Sequence, residues 1–145
     1  MPMEYLWKAA SAWFMGFFPL AEIYVAVPYA VALGLDDVSV ILWTVLGNFT
    51  PALLIIVMYR QMMRIPRVAS WLGGLVSEKA KARVDRWGVW FVLLATPLTG
   101  IWVMAATAKI LQLRNTQFLV SALVSILVYA VGILAVMRLG IATLG

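Results

Sequence analysis

The sequence predicts an all-α integral membrane protein, from its composition, its long apolar stretches and its clustered positive charge. Apolar residues make up 65% of the 145 residues, and charged residues only 12%. Soluble domains are nearer half apolar and a quarter charged, so most of this surface must face lipid. Four apolar stretches, each of 20 residues or more, can cross a hydrocarbon core of about 30 Å as helix. They are residues 13–35, 38–59, 87–113 and 118–137.

The distribution of positive charge predicts which side of the membrane the basic linker occupies. The net charge is +5, and seven of the eleven basic residues lie between Arg60 and Arg86. Basic residues concentrated in one loop between apolar spans follow the positive-inside rule, so this linker is expected on the cytoplasmic side of a cell inner membrane. The same clustering argues against a nucleic-acid partner.

The residue types that are missing limit the chemistry. The chain has no cysteine and no histidine, which excludes thiol chemistry, disulfides and Cys/His zinc sites. No nucleophile–base arrangement is visible, so we expect neither an enzyme nor a cofactor. The apolar run from Trp13 to Leu35 is too long for a signal peptide and carries Glu22, so we interpret it as part of the mature protein.

We expect one membrane domain over residues 1–145, built of repeat 1 (13–59), a cytoplasmic linker (60–86) and repeat 2 (87–138). Residues 1–12 look like an interfacial lead-in. Gly73 and Gly74 are expected to divide the linker. From Ser77 onward, apolar residues recur at helical spacing among charges, which predicts an amphipathic helix on the membrane surface. A solvated charged loop is the alternative.

We interpret stretches one and three as broken helices, and stretches two and four as intact spans. Stretch one holds Pro19 and Pro28, and stretch three holds Pro97 and Gly100. Proline inside a helix removes a hydrogen bond and clashes with the preceding turn. Interrupted helices at membrane depth are tolerated only where protein or a wet cavity shields the freed backbone.

The two broken stretches form an internal repeat at an offset of 78 residues. Seven of the seventeen positions from Pro19 to Leu35 are identical to their counterparts, where chance gives roughly two. The identical pairs are Pro19 and Pro97, Leu20 and Leu98, Ile23 and Ile101, Val25 and Val103, Ala30 and Ala108, Leu33 and Leu111, and Leu35 and Leu113. Each half therefore consists of one broken element followed by one intact span.

Two arrangements fit this repeat. In the favoured one, each broken element is a re-entrant helical hairpin, so each half crosses the membrane once and the second half is inverted. In the other, all four stretches cross as proline-kinked helices and both termini are cytoplasmic. Interrupted segments at matching positions of two halves are the best sequence indicator of a transporter's binding site.

Glu22 is the leading functional candidate, because an ionisable residue inside a span is costly and is by default a functional hypothesis. It aligns with Gly100, so the repeat itself does not require a carboxylate there. Its expected role is proton acceptor or cation ligand; the alternative is a structural pair with Lys109. Lys109 lies near the end of its stretch, where it could equally extend to the interface.

The substrate- or proton-binding set also includes residues beside the breaks. Asn48 sits within the second span, where a polar side chain often bonds only to a neighbouring helix. Tyr24 and Trp102 are repeat-related aromatics, a class that more often serves packing than binding. The full set is Glu22, Tyr24, Pro28, Asn48, Pro97, Gly100, Trp102 and Lys109.

These motifs resemble a known family. The run from Pro19 to Pro28, Leu46-Gly47-Asn48 with Pro51, and Pro97-Leu-Thr-Gly100-Ile-Trp102 are similar to the small multi-drug export protein family. That family is distantly related to the DedA, or VTT-domain, membrane proteins. The resemblance implies paired re-entrant hairpins and a transport role. The chain departs from the family at Tyr24, where an arginine is usual.

Three functions follow as hypotheses. The first is a proton-coupled secondary transporter of a small molecule; the second is a DedA-type translocase of a lipid or lipid-carrier phosphate. The third is a non-transporting membrane assembly factor. Membrane lipids are expected partners. A homodimer is also expected, because four short elements enclose little volume and freed backbone must be shielded from lipid.

Overall fold

The computed structural model describes residues 2–19 and 21–144, apart from the side chains of Glu22, Ala142 and Leu144. Over these residues it contains eight helices and no strand, in agreement with the predicted all-α class. They are α1 (Pro2–Phe17), α2 (Glu22–Ala32), α3 (Asp37–Met63), α4 (Pro66–Leu75), α5 (Glu78–Trp87), α6 (Val89–Thr99), α7 (Ile101–Ile110) and α8 (Asn115–Leu144).

The chain forms two compact units, each described by itself below. Unit 1 takes the described residues of 1–49 and 126–145, and unit 2 takes residues 50–125. Unit 1 thus holds α1, α2, the first part of α3 and the last part of α8. Unit 2 holds the remainder of α3, the helices α4 to α7 and the first part of α8.

Among the described residues, two helices are long and apolar enough to cross a membrane. They are Asp37–Met63 and residues Asn115–Ile141 of α8, and they contain predicted stretches two and four. Stretches one and three instead give pairs of shorter helices. At 1.5 Å per residue the 11 residues of α2 extend only about 16 Å, well short of a hydrocarbon core.

Hairpin 1, formed by α1 and α2, breaks where the sequence predicts. α1 ends at Phe17, Pro19 lies in the turn, and α2 begins at Glu22. The helix α1 already begins at Pro2, so the predicted lead-in is helical. Pro28 lies inside α2 and does not end it, because one missing hydrogen bond does not unwind the turns on either side. The expectation of an interruption at Pro28 is wrong.

Hairpin 2, formed by α6 and α7, breaks at Gly100. Pro97 lies inside the last turn of α6, which ends at Thr99, and α7 begins at Ile101. Gly100 has φ 100° and ψ 136°, a conformation that is essentially restricted to glycine. Of the two breakers that the sequence indicates, the glycine and not the proline therefore ends the helix.

The basic linker is helical over most of its length. Gly73 and Gly74 lie inside α4, so the expected division there is wrong; the helix ends at Leu75. Ser77 caps α5, its hydroxyl accepting a hydrogen bond from the Ala80 N–H at 3.1 Å, and this confirms the predicted amphipathic helix. Its apolar residues Ala80 and Val84 are buried, and α5 packs against α6 and α7.

The two long helices run antiparallel where they meet in unit 1. The Arg138 Nη2 lies 2.6 Å from Asp37 Oδ1, so the C-terminal part of α8 lies beside the first turn of α3. An apolar groove of about 480 Å³ is lined by both helices, from Asp37 to Leu46 on α3 and from Leu127 to Leu134 on α8. Starting from the ion pair, the groove follows α3 forward to Leu46 and α8 backward to Leu127. The two helices therefore run in opposite directions.

Candidate functional site

At the open end of hairpin 1, the start of α1 is hydrogen-bonded to the start of α3. Trp43 Nε1 donates to the Tyr5 hydroxyl at 2.9 Å, and the Tyr5 hydroxyl lies 2.8 Å from Ser39 Oγ. Ser39 Oγ in turn donates to Asp36 Oδ1 at 2.7 Å, so the Tyr5 hydroxyl is the donor to Ser39. Tyr5 is near the start of α1 and Ser39 near the start of α3. The chain therefore enters and leaves hairpin 1 at the same end.

Asp36 caps α3 at this open end. Its carboxylate accepts hydrogen bonds from both the hydroxyl and the backbone N–H of Ser39, the latter at 3.1 Å. These two bonds, the hydroxyl first, lower the pKa of Asp36 below its usual range because they favour the ionised form. Asp36 thus stays charged at neutral pH and stabilises the positive end of the α3 dipole.

Two glycines bring α1 and α3 into backbone contact near the closed end of hairpin 1. A Cβ atom on Gly47 would lie 2.0 Å from the Trp13 carbonyl oxygen, and one on Gly16 would lie 2.6 Å from the Thr44 carbonyl oxygen. The buried face of α1 consists only of small residues, Ala9, Ala12 and Gly16. Small residues allow membrane helices to approach this closely.

Asn48 bonds to the backbone of α1 at the same crossing. Its Nδ2 donates to the Gly16 carbonyl oxygen at 3.0 Å, and the side chain is 1% exposed. Gly16 is the penultimate residue of α1, so its carbonyl has no partner within that helix. Asn48, which the sequence places in the predicted site, thus also has a structural role, because it satisfies the backbone that the break at Pro19 frees.

The three site residues of α2 differ in surroundings. Tyr24 is 41% exposed, and Pro28 is half-buried. The Glu22 side chain lies outside the described residues, although its backbone begins α2. Its proposed pairing with Lys109 therefore stays a prediction. What the structure adds is the position of Glu22 at the first residue of a helix, where backbone N–H groups are unpaired.

In hairpin 2, the residues beside the break are buried. Pro97 and Gly100 are buried, and Trp102 is 6% exposed. The Trp102 ring meets the Trp71 ring of α4 edge-on, with 5.2 Å between the ring centroids. Trp102 thus attaches the hairpin to the linker helix, which favours packing for this member of the predicted site.

Lys109 lies away from the break, seven residues further along α7 than Trp102. Its Nζ is 5.8 Å from the centroid of the Tyr59 ring in α3, a cation–π distance. Tyr59 is in the last turns of α3, just before the basic linker. Within unit 2, Lys109 is therefore a residue of the open end of hairpin 2.

The two hairpins end with the same backbone geometry at an offset of 78 residues. Gly34 has φ 82° and Gln112 has φ 57°. The N–H of Leu35 bonds to the Ala30 carbonyl, and the N–H of Leu113 bonds to the Ala108 carbonyl. Both are Schellman caps, and α3 and α8 then begin at equivalent residues, Asp37 and Asn115. Sequence reasoning missed this cap, because glutamine gives no signal for a left-handed residue.

Sequence reasoning also missed the contacts that hold hairpin 1. Gly47 carries a signal only as a residue of the family motif, and Gly16 carries none. The ion pair between α3 and α8 has no signal either. Nothing in a sequence pattern indicates that Arg138 pairs with Asp37, 101 residues away.

The comparisons with known proteins assign the family. The family described as "Putative small multi-drug export protein" matches residues 22–131, which is most of the chain. The chain belongs to this family. No curated protein and no solved structure matches it. The match covers hairpin 2, the linker, α3 and α2, and it confirms the resemblance carried by the proline, glycine and tryptophan motifs.

Family membership and the two candidate spans together identify a membrane protein. The family match begins at Glu22 and includes every residue of the predicted site. The family description concerns multi-drug export and names neither a substrate nor a coupling ion.

Proposed function

We propose that this protein is a small secondary transporter that exports a small molecule in exchange for protons, and that it is not an enzyme. The observation that carries the proposal is the interrupted pair α1 and α2. The pair ends one helix and starts another inside an apolar segment, with Asn48 satisfying a freed carbonyl. Discontinuous helices of this kind form the substrate and ion sites of secondary transporters.

The proposed arrangement is a multi-pass protein of the cytoplasmic membrane with two re-entrant hairpins. The direction of the long helices supports it. If all four stretches crossed, α3 and α8 would run in the same direction and Asp37 and Arg138 would lie on opposite faces. Their ion pair at 2.6 Å and the antiparallel course of the helices favour one crossing per half. The repeated Schellman caps support the internal repeat.

Single-cysteine labelling tests this topology, and the chain has no native cysteine to remove. Suitable positions are Met3, Gly73 and Leu139, which are exposed in α1, α4 and α8; each is replaced by cysteine in turn. Re-entrant hairpins predict periplasmic labelling at Met3 and Leu139 and cytoplasmic labelling at Gly73. Cytoplasmic labelling of all three would establish four full spans instead.

Glu22 is proposed as the coupling residue. In general, free backbone N–H groups at the start of a helix favour an ionised carboxylate, whereas an apolar segment of chain favours a protonated one. The two states differ in charge, so a proton taken up on one side can be exchanged for a cationic substrate on the other. Of the predicted site residues in the same unit, Tyr24, Pro28 and Asn48 would line the path to Glu22.

The test is transport by purified protein in liposomes with an imposed pH gradient, using a panel of cationic drugs and lipid phosphates. Glu22→Gln keeps size and polarity but cannot ionise, and we expect it to abolish gradient-driven transport. Glu78→Gln is the matched control, because Glu78 is an exposed carboxylate of α5 whose partner is Lys81, and we expect normal transport.

Normal transport by Glu22→Gln from pH 5.5 to 8.5 would refute the coupling role. Transport of lipid phosphates alone would replace the exporter with the lipid-carrier translocase. Complete absence of transport by the wild type would favour the assembly factor. Cross-linking in native membranes tests the proposed homodimer, and recovery of monomer only with several linker lengths would refute it.

A further inference from the structure

The corner between α5 and α6 carries an apolar groove walled mainly by aromatic side chains. Trp87, Trp90, Phe91 and Leu94 line it, and its volume is about 290 Å³. Trp87, Trp90 and Leu94 are each more than half exposed, although Trp87 ends a charged helix and the other two lie just beyond it. Exposed tryptophans at the end of an apolar helix are typical of the membrane–water interface.

Positive charge lies at one end of this groove. The Arg86 guanidinium is 5.2 Å from the centre of the Trp87 ring. Four basic side chains and two acidic ones lie on α5, and Lys81 is paired with Glu78 at 3.4 Å. Lys79, Arg83 and Arg86 have no acidic partner among the described residues. Asp85 is the one remaining carboxylate, so α5 keeps a net positive charge.

The groove is separate from the apolar face of α5, whose residues Ala80 and Val84 do not line it. Both residues are already buried, and α5 packs against α6 and α7. The exposed surface that remains is therefore a basic rim on α5 that continues into an aromatic wall on α6. Apolar surface beside uncompensated cations matches a molecule with an acyl chain and an anionic head.

We propose that this corner is a binding site for one anionic phospholipid. Its phosphate lies at Arg86 and Arg83, and one acyl chain lies along Trp90 and Leu94. A second copy of this chain is disfavoured as the occupant, because it would bring the same positive charge to the same place. A cationic molecule is disfavoured for the same reason.

The headgroup determines the selectivity of the site. In a bilayer the acyl chain leaves one apolar environment for another, so the groove contributes packing contacts to any acyl chain but does not distinguish one headgroup from another. Each basic residue near the surface favours an anionic lipid by about fivefold. Arg83 and Arg86 together should therefore give a preference of about thirtyfold for phosphatidylglycerol over phosphatidylcholine.

Native mass spectrometry of the full-length protein tests the site, with phosphatidylglycerol and phosphatidylcholine of equal chain length as the probes. Wild-type protein should bind the first about thirtyfold more tightly, and the preference should decrease as salt increases. The double variant Arg83→Gln/Arg86→Gln should lose most of the preference. The control Arg64→Gln/Arg67→Gln removes two basic residues of the same linker, outside α5, and should keep it.

Two further measurements separate a lipid site from a simple anion site. Trp90→Ser should weaken binding of the long-chain lipid but not of glycerol phosphate, because only the acyl chain contacts the groove. Wild-type protein should prefer the lipid over glycerol phosphate. Equal binding of the two, no preference for the anionic lipid, or equal loss in both double variants would each overturn the proposal. Cross-linking between copies through position 90 would assign the groove to a second chain instead.

Discussion

Hairpin 1 and hairpin 2 share a repeated sequence but are held in different ways. Hairpin 1 is attached to α3 by a glycine crossing and by the Asn48 amide. Hairpin 2 is attached to the linker helices, with Trp102 against Trp71 and α5 against both of its helices. Repeat position 24 is an exposed tyrosine in the first hairpin, and position 102 is a buried tryptophan in the second.

The comparison separates the features that recur at the offset of 78 residues from those that do not. The terminal caps and the starts of the long helices recur at the same offset, because both follow from local backbone conformation. Pro19 has Pro97 as its counterpart, but the polar residues near the first break do not recur: Glu22 has glycine as its counterpart, and Asn48 has Ile126. The two hairpins therefore share a sequence repeat and a terminal cap, but they differ in the polar residues near their breaks.

Gly47→Ala should have the largest effect, because it separates hairpin 1 from α3. Its Cβ would lie 2.0 Å from the Trp13 carbonyl oxygen, and rigid backbone cannot move aside cheaply. We expect a loss of about 3 kcal/mol or more in the free energy of unfolding, measured in detergent. Gly132→Ala is the control, since a Cβ there meets nothing within 4 Å. Equal stability of the two variants would contradict the close crossing.

Gly100→Ala tests the break of hairpin 2 in the same way. Its φ of 100° disfavours any side chain, so we expect a cost of about 1–3 kcal/mol in unfolding free energy. Gly73→Ala, inside α4 with open space around it, should be neutral or slightly stabilising. If the two variants unfold alike, the break does not depend on glycine.

Asn48→Leu tests whether Asn48 stabilises hairpin 1, contacts a substrate or does both. It leaves the Gly16 carbonyl without its donor, and a buried unsatisfied carbonyl costs about 1–3 kcal/mol. We expect this loss in thermal unfolding, together with lower transport. The control Gln117→Leu removes an exposed amide of α8 and should change neither. Transport lost at unchanged stability would make Asn48 a substrate residue alone.

Gln112→Gly should make the second cap equal to the first. A left-handed glutamine is strained by about 1–2 kcal/mol, part of which is offset by the greater entropy of unfolded glycine. We expect a gain of somewhat less than 1 kcal/mol in stability. The reciprocal change Gly34→Gln should have the opposite sign. A destabilising Gln112→Gly would show that the glutamine side chain has a role of its own.

Asp36 should give the smallest effect, visible only in acid. Its pKa is lowered in the folded protein by the Ser39 hydroxyl and N–H, so its contribution is present above about pH 4 and is lost as the pH falls through the lowered value. Asp36→Asn keeps a capping side chain and cannot titrate. The melting temperature of the wild type should therefore approach that of the variant in acid. A constant difference between the two would exclude this linkage.

Much of the helical layout was predictable from the sequence. The two long spans, the amphipathic α5 and a break after Phe17 follow from apolar length, periodicity and proline. The predicted breaks at Pro28 and Gly73 are wrong. A proline or glycine inside a helix costs a limited free energy, and the neighbouring turns offset it. The site itself stays a prediction: of its members, the structure places Asn48 against the last turn of α1 and Lys109 at the open end of hairpin 2.

The sequence alone determined how much chain can span a membrane, where the positive charge lies and which halves repeat, since these depend on residue type and spacing. Only the tertiary structure decided which surfaces meet: Gly47 with Trp13, Asn48 with Gly16, and Asp37 with Arg138. These contacts join residues that are 32 positions apart, as for Asn48 and Gly16, to 101 positions apart, as for Arg138 and Asp37. They depend on the packing of whole helices, and local residue preference carries no information about such partners.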